Sequence, residues 1–278
     1  MIGFDGRPPL VEVLVRPYMI KKTMDNSRRY DIFHPSAWGS CRRRMAYQYY
    51  NEKEKFIEQN PNSIDFRLQR IFDNGHGTHA RWQNYLDKAG YIRGYWRCTN
   101  PHCAMLHGAD KELGSFNPTR DENWSCKCGS KSLAYEEILV KSLPEYNFEG
   151  HVDAVIDLSG TPYEKPGSVN VFVVDMKTIK DDLFSELTDP KHEHVVQVHI
   201  YMWLLNLKGA VVLYENKDNQ SVKEMFVPRD DSLIERIKRE ALELREILSI
   251  RKLPKRFDGA TRSKFPCRGC EFLDLCFA

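Results

Sequence analysis

The sequence has no long hydrophobic run. Apolar residues nowhere continue for the ~20 positions that a bilayer-spanning helix requires, so no contact with a membrane is expected. The opening stretch, MIGFDGRPPLVEVLV, has no basic region followed by an apolar core and does not read as a secretory signal. The chain is therefore expected to act in a reducing compartment, the cytoplasm, where disulfides are rare. There is no G-x4-G-K-[ST] segment, which excludes a P-loop ATPase of its own. Internal repeats and low-complexity tracts are also absent. Charge of one sign is lacking: 41 Lys and Arg against 39 Asp and Glu leave +2, which is not the footprint of a tight duplex binder. What is present is ordinary for a globular chain. Its 278 residues are 41% hydrophobic and 29% charged, with a mean hydropathy of −0.55. The length suits one to two domains.

Eight cysteines need an explanation in a reducing compartment, and metal binding or catalysis is the default. They fall into two sets. Cys98, Cys103, Cys126 and Cys128 lie in the middle, as C-x4-C and C-x-C pairs about twenty residues apart. Four thiolates at that spacing can converge on a tetrahedral zinc ion, with His102 as an alternative to Cys103. The segment between the pairs is polar and turn-rich, and a metal would hold it folded. Free thiols in a loop are the bland alternative, but four of them would be exposed to oxidation. The second set is Cys267, Cys270 and Cys276 near the C-terminus, with Cys41 more than two hundred residues away. Three close cysteines plus a distant fourth are a frequent way to hold an iron–sulfur cluster; zinc on the same four is the rival. Ligation by Cys41 would tie the two ends of the fold together.

The periodicity predicts one α/β domain with an insertion near 97–130. His34-Pro35-Ser36 reads as a helix start with Ser36 as N-cap, and the helix is expected to run on through Cys41, Arg42, Arg43 and Arg44. A second helix is expected over Ser63 to Ala89, interrupted or pivoted at Asn74-Gly75. YIRGYW and SLAYEEILV read as strands entering and leaving the insertion, followed by FEGHVDAVIDL and by VNVFVVDMKT, a nearly continuous apolar strand as central strands are. Asp189-Pro190 opens a helix through HVVQVHIYMWLLN. GAVVLYEN and SVKEMFV are two further strands, 231–250 is an amphipathic helix, and the rest is a loop-like tail.

Asp175 and Lys177 are two apart on that central strand and so share a face. A carboxylate and an ammonium leaving an apolar strand are costly unless they pair or bind something. Asp153 on the neighbouring strand adds a second carboxylate, a set suited to Mg²⁺ or Mn²⁺. Each element is weak alone, since D-x-K triples are common and usually form solvent-facing ion pairs. His79 on a helix, and Gln197 and Tyr201 four apart on another, give the pair its context.

In order, Cys41, Gly75 to His79, Gly150 to Asp153, Asp175-Met176-Lys177, Gln197 to Tyr201, and Cys267, Cys270, Cys276 resemble the ordered signature of the PD-(D/E)XK nucleases of the RecB type. The match is to their iron–sulfur branch, which includes CRISPR-adaptation exonucleases and the AddB nuclease domain. The resemblance covers about residues 34 to 278. It implies a restriction-endonuclease-like core, a central mixed sheet flanked by helices, with a small zinc-binding insertion and a C-terminal Fe–S segment. The implied division is 1–96 (N-terminal helical part), 97–130 (zinc-ribbon-like insertion), 131–250 (catalytic core) and 251–278 (iron–sulfur segment). It further implies Mg²⁺ or Mn²⁺ on His79, Asp153, Asp175 and the Met176 carbonyl. Lys177 would position or activate the attacking water. Gln197 and Tyr201 would contact the DNA strand or order the site, and a 4Fe–4S cluster would sit on Cys41, Cys267, Cys270 and Cys276. Asp175 stands where the family more often has glutamate, and the insertion is not a standard part of the family. Arg42 and Arg43, in a basic cluster beside the expected iron–sulfur segment, are candidate phosphate contacts.

The expected activity is a metal-dependent deoxyribonuclease acting on single strands or duplex ends, with 5′ to 3′ digestion favoured by the resemblance. A helicase or integrase partner would supply any other activity, in CRISPR adaptation, recombination or phage DNA metabolism. The rivals are a structure-specific endonuclease of the same fold and a non-catalytic, metal-stapled nucleic-acid-binding or assembly module.

Overall fold

A computed structural model describes residues 10–24, 29–54, 66–107, 125–264 and 266–278. The expected helix start at Ser63 and residues 108–124 of the expected insertion lie outside the described residues.

The chain begins with α1 (Leu10–Met24), α2 (Pro35–Trp38), α3 (Arg42–Glu54) and α4 (Phe66–Ala89). Then come β1 (Ile92–Arg93), β2 (Tyr95–Cys98), β3 (Leu106–His107), β4 (Leu133–Glu136), β5 (Ile138–Lys141), β6 (Glu149–Val152), β7 (Ala154–Asp157) and β8 (Val171–Ile179). Two helices, α5 (Asp181–Glu186) and α6 (His192–Leu204), precede β9 (Gly209–Asn216) and β10 (Val222–Pro228); α7 (Asp231–Ser249) and α8 (Leu273–Phe277) close the chain. The main sheet has the order β1-β7-β8-β9-β10 and is mixed: β8 and β9 are parallel, every other neighbour antiparallel. β3-β2-β4 and β5-β6 form two smaller sheets.

The apolar run of β8 is central, as its composition predicts. The parallel step from β8 to β9 needs a crossover, and α5 and α6 supply it. After its polar first turn α6 is covered on all sides: every residue from Val196 to Met202 is buried, Gln197 and His199 among them, as a helix packed on both faces is. Val198 and Met202 pack on the sheet with Val173 and Val212, while Val196 and Ile200 face Trp38, Phe148 and α7. α7 buries Ile234, Ile237, Ala241, Leu244 and Leu248, a three–four spacing along one stripe. Its N-cap is Asp230, whose side chain accepts from the Ser232 and Leu233 amides.

Several sequence expectations are corrected. The helix expected to run from Ser36 through Cys41 is two helices. His34, not Ser36, occupies the first N-cap position, and α2 stops at Trp38. At Gly39 a Cβ would come within 2.6 Å of the Glu193 backbone, so α2 and α6 meet where only a glycine fits. The chain turns there, and Cys41 stands just before α3. α4 runs through Asn74-Gly75 without interruption. YIRGYW is two strands in different sheets, broken at Gly94, where φ is +156° and a Cβ would strike the Tyr135 ring at 2.7 Å. SLAYEEILV divides at Glu137 and FEGHVDAVIDL at Asp153, each passing from one sheet to another. α6 starts at His192 with Lys191 as its N-cap, not at Asp189-Pro190. The helices α1 and α5 were not expected, and the tail carries the short α8.

Candidate active site

The acidic centre is built at those strand breaks. β6 pairs with β5 up to Val152↔Ile138, and β7 pairs with β8 from Ala154↔Val174. One step beyond each pair, Asp153 faces Glu137 on one side and Asp175 on the other. The strand register thus places Asp153 between the other two carboxylates, although Asp175 is not among the groups whose ligand atoms lie within 4.8 Å of one another. α4 crosses this point and delivers His79, whose Nδ1 lies 3.4 Å from Asp153 Oδ1. One turn on, the Gln83 amide donates to Glu137 Oε1 (3.1 Å) and to the Asp153 carbonyl (2.8 Å). Ligand atoms of His79, Glu137 and Asp153 all lie within 4.8 Å of one another. Glu137 is the residue that sequence reasoning missed; its only signal was the E-E at the break in SLAYEEILV.

Each charge has an identifiable cause. Asp153 accepts the Met176 amide at 2.7 Å. Burial opposes its ionisation, but the His79 ring, the Lys177 charge and that amide outweigh it and lower its pKa. Burial also opposes a charged His79, yet the bond to Asp153 raises it. Lys177 Nζ donates to Asp175 Oδ1 at 2.7 Å. Asp175 is fully buried and its Oδ2 has no hydrogen-bond partner among the described residues. Burial, with Asp153 adding to it, pushes Asp175 up to about 6 although Lys177 pulls the other way. Lys177 is raised: burial disfavours its charge, but Asp175 and Asp153 outweigh burial. Its charge is thus held by its two carboxylate neighbours. Burial, and to a lesser degree Asp153, raises Glu137. A buried, unpartnered carboxylate oxygen beside further oxygen and imidazole donors is a donor set suited to a hard divalent cation.

Gln197 and Tyr201 are not at the surface. Both are buried; the Gln197 amide donates to Tyr201 Oη (3.2 Å), which donates to the His151 carbonyl (2.7 Å). Of their two expected roles, this placement serves the ordering of β6 beside Asp153 and offers no face to a DNA strand. Arg42 and Arg43 are also engaged within the protein. The Arg42 guanidinium lies 3.6 Å over the Trp38 ring and bonds Glu240, and Arg43 donates to the Pro254 carbonyl at 2.8 Å.

The cysteines separate into two geometries. The sulfurs of Cys98, Cys103, Cys126 and Cys128 lie within 4.8 Å of one another, with 3.7 Å between Cys98 and Cys128 and 3.5 Å between Cys103 and Cys126. A tetrahedron with metal–sulfur bonds of about 2.3 Å has an edge of about 3.8 Å. His102 is outside this group, and its backbone amide bonds Asn100. The Ser130 amide helps hold Cys128 down to about 7. Cys41, Cys267, Cys270 and Cys276 instead line one cavity with Tyr47 and Phe272. Among the described residues these four supply no group of three sulfurs within 4.8 Å.

No described helix is long and apolar enough to cross a membrane. A family profile for the PD-(D/E)XK nuclease superfamily matches residues 33–277. Similar solved structures include the crystal structure of SSO0001, at 14% identity and TM-score 0.46, covering 96% of each chain. Another is an alkaline exonuclease, LHK-Exo, from Laribacter hongkongensis, at 14% identity and TM-score 0.45, covering 80% of this chain and 90% of that one. LHK-Exo in complex with dAMP gives 13% identity and TM-score 0.43, with 79% and 88% covered. No curated protein matches.

Proposed function

The chain belongs to the PD-(D/E)XK nuclease superfamily, and from that premise we propose that it is a metal-dependent DNA nuclease. We assign it to the RecB-type iron–sulfur branch, as an exonuclease on single strands or duplex ends with 5′ to 3′ digestion favoured. One observation carries the reading. Asp153 stands opposite Asp175 in register, with the Lys177 ammonium on Asp175 and His79 on Asp153. His79, Asp153, Asp175 and the Met176 carbonyl would hold Mg²⁺ or Mn²⁺, which supplies Lewis-acid polarisation of the phosphate and a more acidic water. The chain's own work is positioning. Lys177 offers N–H donors and a positive charge where negative charge grows on the phosphate. Asp175 keeps that ammonium in place. Gln197 and Tyr201 brace His151 two residues before Asp153.

We further propose zinc on Cys98, Cys103, Cys126 and Cys128, supported by sulfur separations close to a tetrahedral edge. A 4Fe–4S cluster on Cys41, Cys267, Cys270 and Cys276 is supported by four thiols that line one cavity. A cluster of this kind takes four thiolates. The division at 96, 130 and 250 follows these sites.

The test is digestion of end-labelled linear and circular single-stranded DNA with Mn²⁺ or Mg²⁺. We expect loss of the linear substrate and survival of the circle. Lys177→Ala should lower turnover by about 10²- to 10⁴-fold, on the scale of a lost proton-transfer or charge-stabilising group. Cutting of circles would make the protein an endonuclease. No cutting with either ion would sink the proposal.

A further inference from the structure

The cleft in front of Lys177 has a wall of which the reaction centre uses only His79. The cleft has a volume of ≈ 700 Å³, and the wall is one face of α4. Phe72, His76 and His79 follow at spacings of four and three, so they stand on that face. Two turns, roughly 10 Å, separate Phe72 from His79. Phe72 is 54% exposed. Between them Gly75 lines the cleft, and a Cβ there would meet no atom of the described residues within 4 Å. Glycine inside a helix is destabilising relative to alanine, and no packing within the described protein requires it here.

The charge of the cleft points the same way. Lys22, Lys177 and Lys217 line it, and none of its described lining residues is acidic, although the chain carries 39 Asp and Glu. Lys22 is paired with Asp73 and Lys177 with Asp175, so Lys217 is the one lining lysine with no ion pair among the described residues. A single exposed phenylalanine is ordinary. One that shares its helix face with a bare glycine turn, in a cleft lined by cations, has the parts of a stacking platform with an electrostatic track.

We propose that this wall is a nucleotide subsite: an unpaired base of a single DNA strand stacks on Phe72 while its sugar–phosphate backbone runs past Gly75 and His76 toward Lys177. The assignment rests on the nuclease reading and adds to it a demand for an unpaired strand. A base inside a duplex keeps its faces in the stack and cannot reach Phe72, so a duplex end must open before it enters. Stacking accepts any base, so little sequence preference is expected.

The test is fluorescence anisotropy of the full chain with a labelled twelve-nucleotide oligothymidylate and with a blunt hairpin duplex, in Ca²⁺ without Mg²⁺ or Mn²⁺. Wild type should bind the single strand more tightly than the duplex. Phe72→Ala and Gly75→Leu should each weaken single-strand binding about tenfold, and Phe72→Trp should keep it. Gly75→Leu replaces a poor helix former by a good one, so its melting temperature should hold or rise while binding falls, a combination that misfolding does not produce. If wild type cuts DNA but both variants bind the oligonucleotide as wild type does, or if duplex binds equally well, the subsite is overturned and the nuclease reading stands. A wild type that neither cuts nor binds DNA overturns both.

Discussion

Asp175 shows how much one buried carboxylate asks of its surroundings. Oδ1 takes the Lys177 ammonium and Oδ2 takes nothing, and the group is raised from about 3.8 to about 6. The folded chain therefore still holds a proton that the unfolded chain has released between those two values. Unfolding then releases a proton, and by linkage this group's contribution to stability falls as pH rises through that window. Without added divalent ion, the melting temperature of wild type should fall from pH 4 to pH 6 relative to Asp175→Asn. Mn²⁺ at pH 7 should raise the melting temperature of wild type more than that of the variant, because a ligand that binds only the folded state stabilises it. Parallel pH curves for the two proteins would show that another group titrates. Lys177 is raised as well, because Asp175 and Asp153 favour its charge over the burial that opposes it. Asp153, Asp175 and Lys177 were legible in the sequence, because a polar residue ending an apolar strand is conspicuous; His79, on a helix, was singled out only by the ordered motif set of the resemblance. Glu137 was not, since its role depends on lying one step past Ile138↔Val152, and a register is invisible in a single strand.

At the scale of elements, the site depends on how α4 is held to the sheet. Glu215 on β9 is buried and takes both the Arg81 guanidinium and the Trp82 indole N–H (2.7 Å). Those two residues lie between His79 and Gln83, the two that α4 contributes to the acidic centre. Glu215→Ala should leave the indole donor unpaired at a cost of about 1–3 kcal/mol, and should also weaken Mn²⁺ binding because the helix turn carrying His79 loses its anchor. Glu215→Gln, which still offers an acceptor, should recover most of both. Denaturant unfolding and Mn²⁺ titration check this: a variant with lower stability but unchanged Mn²⁺ affinity would confine Glu215 to the core. The long periodic elements α7, β8, β9 and β10 could be read in advance, since a hydrophobic period survives any context. The breaks at Gly39, Gly94, Glu137 and Asp153 could not, because each arises where a second element comes close or where a strand changes sheets.

At the scale of the whole molecule, the two ends are joined on α3. Arg44 bonds Glu271 with its Nε 3.1 and 3.0 Å from the two carboxylate oxygens. Tyr47 stacks on Phe272 at 5.2 Å and donates to the Leu275 carbonyl. The four outer thiols lie in the cavity beneath these contacts. Protein purified without oxygen should be brown, absorb broadly near ~400 nm, and carry about four iron and one zinc per chain. Cys270→Ser should lose the iron and keep the zinc, and Cys128→Ser should do the reverse. A colourless preparation with two zinc per chain would show that both sites hold zinc.

Composition, periodicity and order along the chain were enough for the α/β class, for the acids and lysine of the centre, and for the grouping of eight cysteines into fours. Those properties are carried by single residues and their neighbours, so no partner is needed to read them. The tertiary structure alone decided that Asp153 faces both Glu137 and Asp175, that one set of thiols lies within 4.8 Å while the other lines a cavity, and that Gln197 and Tyr201 are buried while Arg42 and Arg43 bond within the protein. It also decided that Gly75 borders open space. Each of these is a distance between residues far apart in the chain, and such distances are set by register and by the close approach of helices, which no local pattern encodes.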